Sequence, residues 1–410
     1  MYRKDYIKVT EKLYYQDAYI KDFTTKAVRQ EQDEMGNWYV VLAATAFYPT
    51  GGGQPYDMGT LNGIAVVNVE EIGGEIRHYV EIKLEQTDHI TGVLNWERRF
   101  DHMQQHAGQH ILTAAFVELF QIETVSFHLG LETATIDLNT RNLTLEMVKA
   151  VEIRANEILR ENRPIETKWV TKEEALQYNL RKELSVTENI RLVIIPNYDY
   201  NGCGGTHPTS TGQVSTIKVL DWEKQKNNIR VRFVCGDRVL KQLQDKHDIL
   251  LDLSRRLSSP EKEMSSTVQK LLITNKEQGR TIEELNDQLL QFEAEALITS
   301  AKDLNGQRVA CRLFENRTVK QLQKLAKMIT NQVEDTLVLF VTENGPQLQF
   351  ICVRGTASEL NMNSIVKEAL PFVNGKGGGS EQSAQGGGEA IISGKILMEQ
   401  LLNIVQKKSS

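Results

Sequence analysis

Cys203 and His207 stand four residues apart in "NGCGGTHPT", and His106 and His110 stand four apart in "DHMQQHAGQHIL". On a helix, residues i and i+4 share one face, so His106 and His110 can turn both imidazoles toward one ion if the helix continues through Gly108. His102, a turn earlier, is a candidate neighbour. Gly204 and Gly205 let a tight turn bring a thiolate and a third imidazole together. One thiolate with three imidazoles suits zinc, which takes tetrahedral nitrogen and sulfur donors. Four protein donors fill that shell, and filled shells are usually structural. Turnover would then need a fifth position, a donor that lets go, or a water held beside the metal. A zinc-bound water reaches a pKa of about 7 and supplies hydroxide at neutral pH. The rival chemistry makes Cys203 an attacking thiolate with His207 as its base, but it leaves His106 and His110 without a task. The bland reading makes Cys203 a buried small hydrophobe and His207 a loop donor. The polar surroundings "YDYNG" and "THPTST" speak against burial of Cys203.

The elements that must position these groups follow from the patterning. Before residue 95, "WYVVLAATAFYPT", "GTLNGIAVVNVEEI" and "RHYVEIKL" are β-branched or aromatic runs separated by "GGGQPYDMG" and Gly73-Gly74, which is turn chemistry. They predict a small antiparallel β-barrel. The turn is neither a P-loop nor a dinucleotide fingerprint. It reads as a tight hairpin or as a backbone surface for a substrate end. From Arg98, small and apolar residues recur at helical spacing, with Asp101 as the expected N-cap. "ETVSFHLGLETATIDLN" alternates like a hairpin and puts His128 at a strand end, the usual place of a hydrogen-bonded structural His. "LTLEMVKAVEIRANEILREN" is an amphipathic helix ended by Pro164, and strands and loops then carry the chain to Cys203 and beyond.

From Val239 a 3,4 spacing appears: Leu240, Leu243, His247, Leu250, Ser254, Leu257. It resumes through Leu271, Asn275, Gln278, Ile282, Leu285, Leu289 and Phe292. Ser258 with Glu261 offers a capping box beside Pro260. Two helices are expected, the second of about 37 residues, or roughly 55 Å at 1.5 Å per residue. The seam suits either a helix pair packed on itself or a coiled coil between two chains. Residues 301–410 read as an α/β unit, and in its "GKGGGSEQSAQGGG" seven of fourteen residues are Gly, which predicts a loop. The expected organisation is therefore α+β and multidomain: a β-barrel at 1–95 (translation-factor-like), an α+β zinc-binding domain at 96–236, a helical coiled-coil-like segment at 237–300, and a C-terminal domain at 301–410.

Composition bounds the setting. With 410 residues the chain exceeds the roughly 250–300 that one core usually serves. No run approaches the roughly 20 apolar residues of a membrane helix, and "MYRKDYIKVTEKLYYQ" has no apolar leader core. Cysteines at 203, 235, 311 and 352 do not form a disulfide framework, which predicts a reducing compartment, the cytoplasm. A net charge of −6 leaves any nucleic-acid face to local charge.

Together the motifs resemble a known family. "DHMQQHAGQHIL" with "CGGTH" resembles the HxxxH and CxxxH pair of the editing domain of alanyl-tRNA synthetases and of the free-standing editing proteins called AlaX. "AFYPTGGGQPYDMGTL" looks like the family's barrel motif. "RVRFVCGDRVL", the helical segment and "GKGGGSEQSAQGGG" resemble the synthetase's C-terminal part, with its DHHA1-type domain. The synthetases carry aminoacylation and tRNA-recognition domains ahead of the barrel. Here the barrel stands first, so the chain resembles long-form AlaX and should not activate alanine.

The resemblance implies one Zn2+ per chain on His106, His110, Cys203 and His207. It implies hydrolysis of mischarged tRNA(Ala), chiefly seryl- and also glycyl-tRNA(Ala). Gln109 and Thr206 become candidates for reading the amino-acid hydroxyl. Gly204 and Gly205 would line the pocket, and Gly51, Gly52, Gly53 and Gln54 would face the substrate's 3′ end. Lys376, Gly377, Gly378 and Gly379, with Gln385, Gly386, Gly387 and Gly388, match the C-terminal glycine motifs, to which tRNA contact or assembly is ascribed. A homodimer through the helical and C-terminal segments fits the same resemblance. Two other readings stand beside it: a non-catalytic tRNA-binding protein with structural zinc, and a zinc hydrolase of another ester or amide.

Overall fold

The structure, a computed structural model, describes residues 10–184 and 186–409. Residues 1–9, which begin the stretch considered for an apolar leader core, lie outside the described residues. The chain divides into two compact units, Met1–Leu253 and Ser254–Ser410.

The first unit opens with a seven-stranded antiparallel sheet. From edge to edge its strands are Asp22–Thr25, Ile90–Leu94, Gly59–Leu61, Ile64–Ile72, Glu75–Val80, Trp38–Leu42 and Ala27–Gln32. Alternate residues, among them Val40, Leu42, Leu61, Val69, Ile76 and Ile90, bury one face in a common core. The expected barrel does not close by strand pairing among the described residues, because the two edge strands are not paired with each other. Lys26 alone separates them, and an antiparallel hairpin turn needs about two residues at least.

The helix Trp96–Phe120 follows directly, and the Asn95 side chain caps it by accepting from Arg98 N at 3.0 Å. Asp101 is therefore not the cap. It lies in the second turn, where its carboxylate receives Arg238 at 2.7 Å. Gly108 continues the helix at its closest packing point: a Cβ there would fall 2.1 Å from Cys235 Sγ. The helix packs with the amphipathic helix Leu145–Arg160 and a four-stranded sheet of Thr124–Leu129, Ala134–Leu138, Asn228–Cys235 and Ile217–Gln225. The expected hairpin forms its first two strands, pairing Phe127 with Ile136. Beside it stands a three-stranded sheet of Glu166–Val170, Ile190–Ile195 and Asp199–Gly202. Its last strand delivers the "CGGTH" loop.

In the second unit the helix Met264–Thr299 spans 36 residues. The expected capping box at its start does not form. Ser258 takes a left-handed φ of 48° and its N–H bonds Arg255 O, so it ends the preceding turn instead of opening the next helix. Leu290, Ala294 and Leu297 of the long helix are buried, while Leu271, Ile282, Leu285 and Leu289 of the heptad seam are exposed. A six-stranded sheet carries the rest, in the order Lys302–Leu304, Gln307–Glu315, Thr336–Asn344, Gln347–Arg354, Ser383–Glu389, Lys376–Gly379. The glycine-dense stretch expected as a loop is its edge hairpin. Gly386 faces Phe350, so closely that a Cβ would lie 2.6 Å from the ring, and Gly377 lies as near the backbone of Gln385. Glycine supplies no side chain here, and the strands are held by pairing and close stacking. No helix among the described residues is long and apolar enough to cross a membrane.

Candidate metal centre and its cavity

His106, His110, Cys203 and His207 converge: one donor atom from each lies within 4.8 Å of the others. Cys203 Sγ is 3.4 Å from His106 Nε2 and 3.3 Å from His207 Nε2. Zinc bonds of roughly 2.3 Å to sulfur and 2.0–2.1 Å to nitrogen would put neighbouring tetrahedral donors about 3.5 Å apart. The donor set and its spacing therefore fit one zinc ion.

The supporting partners are what the motifs did not announce. His106 Nδ1 donates to Gln54 Oε1 at 3.0 Å, which leaves Nε2 free to face an ion. Gln54 is fully buried, and its Oε1 also accepts from Thr206 N at 3.1 Å while its Nε2 donates to Thr206 Oγ1 at 2.8 Å. Three residues on, Asp57 accepts from Arg99 Nε at 3.0 Å, with both side chains wholly buried. Arg99 and His106 are seven residues apart, two turns on one helix face. The "GGGQPYD" turn thus grips the donor helix at two points. On the other side His110 Nδ1 donates to Asp199 Oδ2 at 3.1 Å, and Asp199 is held by Arg181 Nε at 2.6 Å.

The electrostatics follow from this packing. Burial opposes charge on Cys203, but His106 and His207 beside it hold the thiol well below its usual range. Burial would also depress His110, yet its bonds to Asp199 and Cys203 raise it to about 9. Burial pushes His207 down to about 3, and among the described residues its Nδ1 has no hydrogen-bond partner. His102 is buried on the helix of His106 and His110, with Nδ1 also unpartnered among the described residues and the ring pushed down to about 3 by burial.

The centre opens onto a cavity of about 480 Å³ whose wall includes His106, His110 and Cys203 but not His207. Of the other residues expected to meet a substrate, Gln109, Gly52 and Gly204 lie on that wall. Gln109 is anchored there by its bond to Thr113 Oγ1 at 2.9 Å. Thr206 and Gln54 have no exposed surface and act as supports. Gly51 closes a tight turn with Gln54, and Gly53 packs against Phe127 with a φ of 84°. Gly205 lies against the His106 ring, where a Cβ would come within 2.2 Å of Cε1. In the second unit, seven of the eight expected residues, all but Gly379, line a separate cavity of about 370 Å³. Asp199, Arg191 and the Trp169 ring were missed by sequence reasoning. Only the acidic residue in "YDYNG", just ahead of the cysteine, offered a signal.

With this geometry in place, comparison with family models matches three parts of the chain. Residues 2–98 match the model for class II (A) tRNA synthetases, residues 190–232 the threonyl and alanyl tRNA synthetase second additional domain, and residues 305–408 the DHHA1 domain. The alanyl-tRNA editing protein AlaX-L of Pyrococcus horikoshii is 31% identical over 93% of this chain and 95% of its own length. The chain belongs to this alanyl-tRNA editing protein family. The alanine–tRNA ligase of Pyrococcus abyssi is also 31% identical, over 97% of this chain, which spans only 44% of that ligase. The editing protein Aarsd1 of Danio rerio is 28% identical over 88% of this chain and 87% of its own.

Proposed function

We propose that this chain is a hydrolase that removes the wrong amino acid, chiefly serine and also glycine, from mischarged tRNA(Ala), acting in trans at one zinc ion held by His106, His110, Cys203 and His207. The observation that carries this reading is the cavity that reaches three of the four donors and has Gln109 fixed on its wall. When bound, zinc polarises oxygen in its surroundings and lowers the pKa of nearby water. The chain's own part is placement. Gln54 and Asp199 keep the Nδ1 protons of His106 and His110 pointed away from the ion, and Gln109 presents an amide to the amino-acid moiety. The scissile bond is an activated ester, so fixing it beside a held water supplies much of the acceleration. The task exists because a small apolar pocket rejects an added hydroxyl by only about 100-fold.

The second reading, zinc as a purely structural ion in a tRNA-binding protein, is favoured by the four-donor set, which closes a tetrahedral shell. The division at 95, 236 and 300, a homodimer through the exposed heptad seam, tRNA contact by the Lys376–Gly379 and Ser383–Glu389 hairpin, and a cytoplasmic setting belong to the same proposal.

The test is deacylation of seryl-tRNA(Ala) beside alanyl-tRNA(Ala) by the full chain and by Cys203→Ala. Fast loss of serine, slow loss of alanine and at least a ~100-fold drop in the variant are expected, since removing a ligand dismantles the site. Retained zinc with no loss of serine above the buffer rate selects the structural reading.

A further inference from the structure

One row of side chains crosses the three-stranded sheet from its edge to the metal centre. Trp169, on the edge strand Glu166–Val170, pairs in register with Arg191 on the central strand. Arg191 O in turn accepts from Cys203 N at 3.0 Å. Successive residues of a strand face opposite ways. Val170, Ile190 and Leu192 face a small core, so Trp169 and Arg191 face the other side, where both line the same cavity as Cys203.

Trp169 is half exposed, yet it is not loose. Tyr15 meets it edge to face with ring centroids 5.4 Å apart, and the Arg191 guanidinium lies over the same Tyr15 ring at 4.9 Å. Arg191 is 7% exposed, and its Nη1 donates to Cys203 O and Gly205 O, each at 2.9 Å. Among the described residues its Nε has no acceptor. Lys182 lines the cavity too; among the described residues Glu183 is the one carboxylate on its wall, and Arg181 there is already paired with Asp199. A fixed aromatic face beside positive charge is the arrangement by which proteins hold an unpaired nucleotide.

We propose that Trp169, backed by Tyr15 and Arg191 and flanked by Lys182, is the subsite for the terminal nucleotide of the acylated strand. The base stacks on the Trp169 indole and the backbone phosphate meets Lys182. Arg191 is a positioning residue that ties the platform to the Cys203 loop. Two interstrand spacings separate Trp169 from Cys203, about 10 Å, a span that a nucleoside carrying one small acyl group bridges. This inference rests on the hydrolase reading and names which end of the substrate goes where.

The test uses the full chain with Trp169→Ala, Trp169→Phe and Lys182→Gln. For Trp169→Ala, KM for seryl-tRNA(Ala) is expected to rise roughly 5- to 150-fold, the range that stacking of one base carries. The kcat should stay within about threefold, because the loss is in binding. Trp169→Phe should recover most of the loss, and Lys182→Gln should raise KM and weaken its dependence on salt. A second arm needs no turnover: adenosine 5′-monophosphate should quench tryptophan fluorescence in the wild type and not in Trp169→Phe, while ribose 5-phosphate quenches neither. Wild-type kcat/KM in Trp169→Ala, or equal quenching with and without Trp169, overturns the subsite and leaves the hydrolase reading standing. Trp169-dependent quenching with no deacylation does the reverse.

Discussion

The two halves of the donor set are built differently. His106 and His110 sit on a buried helix whose imidazoles are already aimed by Gln54 and Asp199 and whose axis is pinned by Arg99 on Asp57. Cys203 and His207 sit on a loop, where among the described residues His207 Nδ1 has no partner and the neighbouring histidines hold the Cys203 thiol below its usual range. The helix half is organised without an ion. In the loop half Arg191 and Gln54 hold the backbone of Cys203, Gly205 and Thr206, while the Cys203 and His207 side chains bond, among the described residues, only within the cluster and its own loop. The contrast predicts that the loop half depends on a bound ion more than the helix half does.

Removing the metal is the harshest way to break that contrast. Chelation should raise amide hydrogen exchange across residues 201–207 by about 100-fold or more, the factor that corresponds to losing a ligand held at about 100 times its Kd. Residues 106–110 should change far less, since Gln54, Asp199 and the helix bonds remain. Equal rises in both segments would show that the helix half also depends on the ion.

A milder break targets the supports. Gln54→Ala and Asp199→Asn should each weaken zinc affinity by roughly 10- to 100-fold, as loss of an outer partner of a metal-bound histidine does. Competition with a chromogenic chelator reads this directly. Gln54→Ala should have the wider effect, because it also releases Thr206 N and Oγ1 in the loop. Zinc affinity unchanged in both variants would mean the helix itself, and not its partners, aims the rings.

The His/Cys cluster was legible in the sequence because its relations are local. The i,i+4 spacing of His106 and His110 and the glycines inside "CGGTH" each describe one turn of chain. The supports were not, since Gln54 meets His106 across 52 residues and Asp199 meets His110 across 89. Pairings of that span are set by how the sheets dock on the helix, which no local pattern records. The same cause explains Gln54 and Thr206, whose residue types suit substrate contact but whose burial makes them supports. The 375–388 stretch was misread for the converse reason. Glycine has poor strand propensity, and the pairing that overrides it is with Gln347–Arg354 and within its own hairpin. Trp169 announced nothing, because a lone surface aromatic on a strand is ordinary.

The finest test lies within the loop, between two adjacent glycines. Gly204 borders the cavity, and a Cβ there would meet only the Tyr15 hydroxyl at 3.3 Å, the movable end of a side chain. Gly205 is turned inward, and a Cβ there would stand 2.2 Å from His106 Cε1 and 2.9 Å from Gln54 Oε1. Gly205→Ala therefore forces the loop off the helix and should cost zinc outright. Gly204→Ala should change zinc affinity by no more than about threefold, the scale of a substitution that meets no fixed neighbour. Because Gly204 lies on the cavity wall, a rise in KM at unchanged zinc affinity is the expected signature of its added methyl. If the two alanines cost the same zinc affinity, the loop is not held against His106 at one point, and the contrast between a pre-aimed helix and an ion-dependent loop fails.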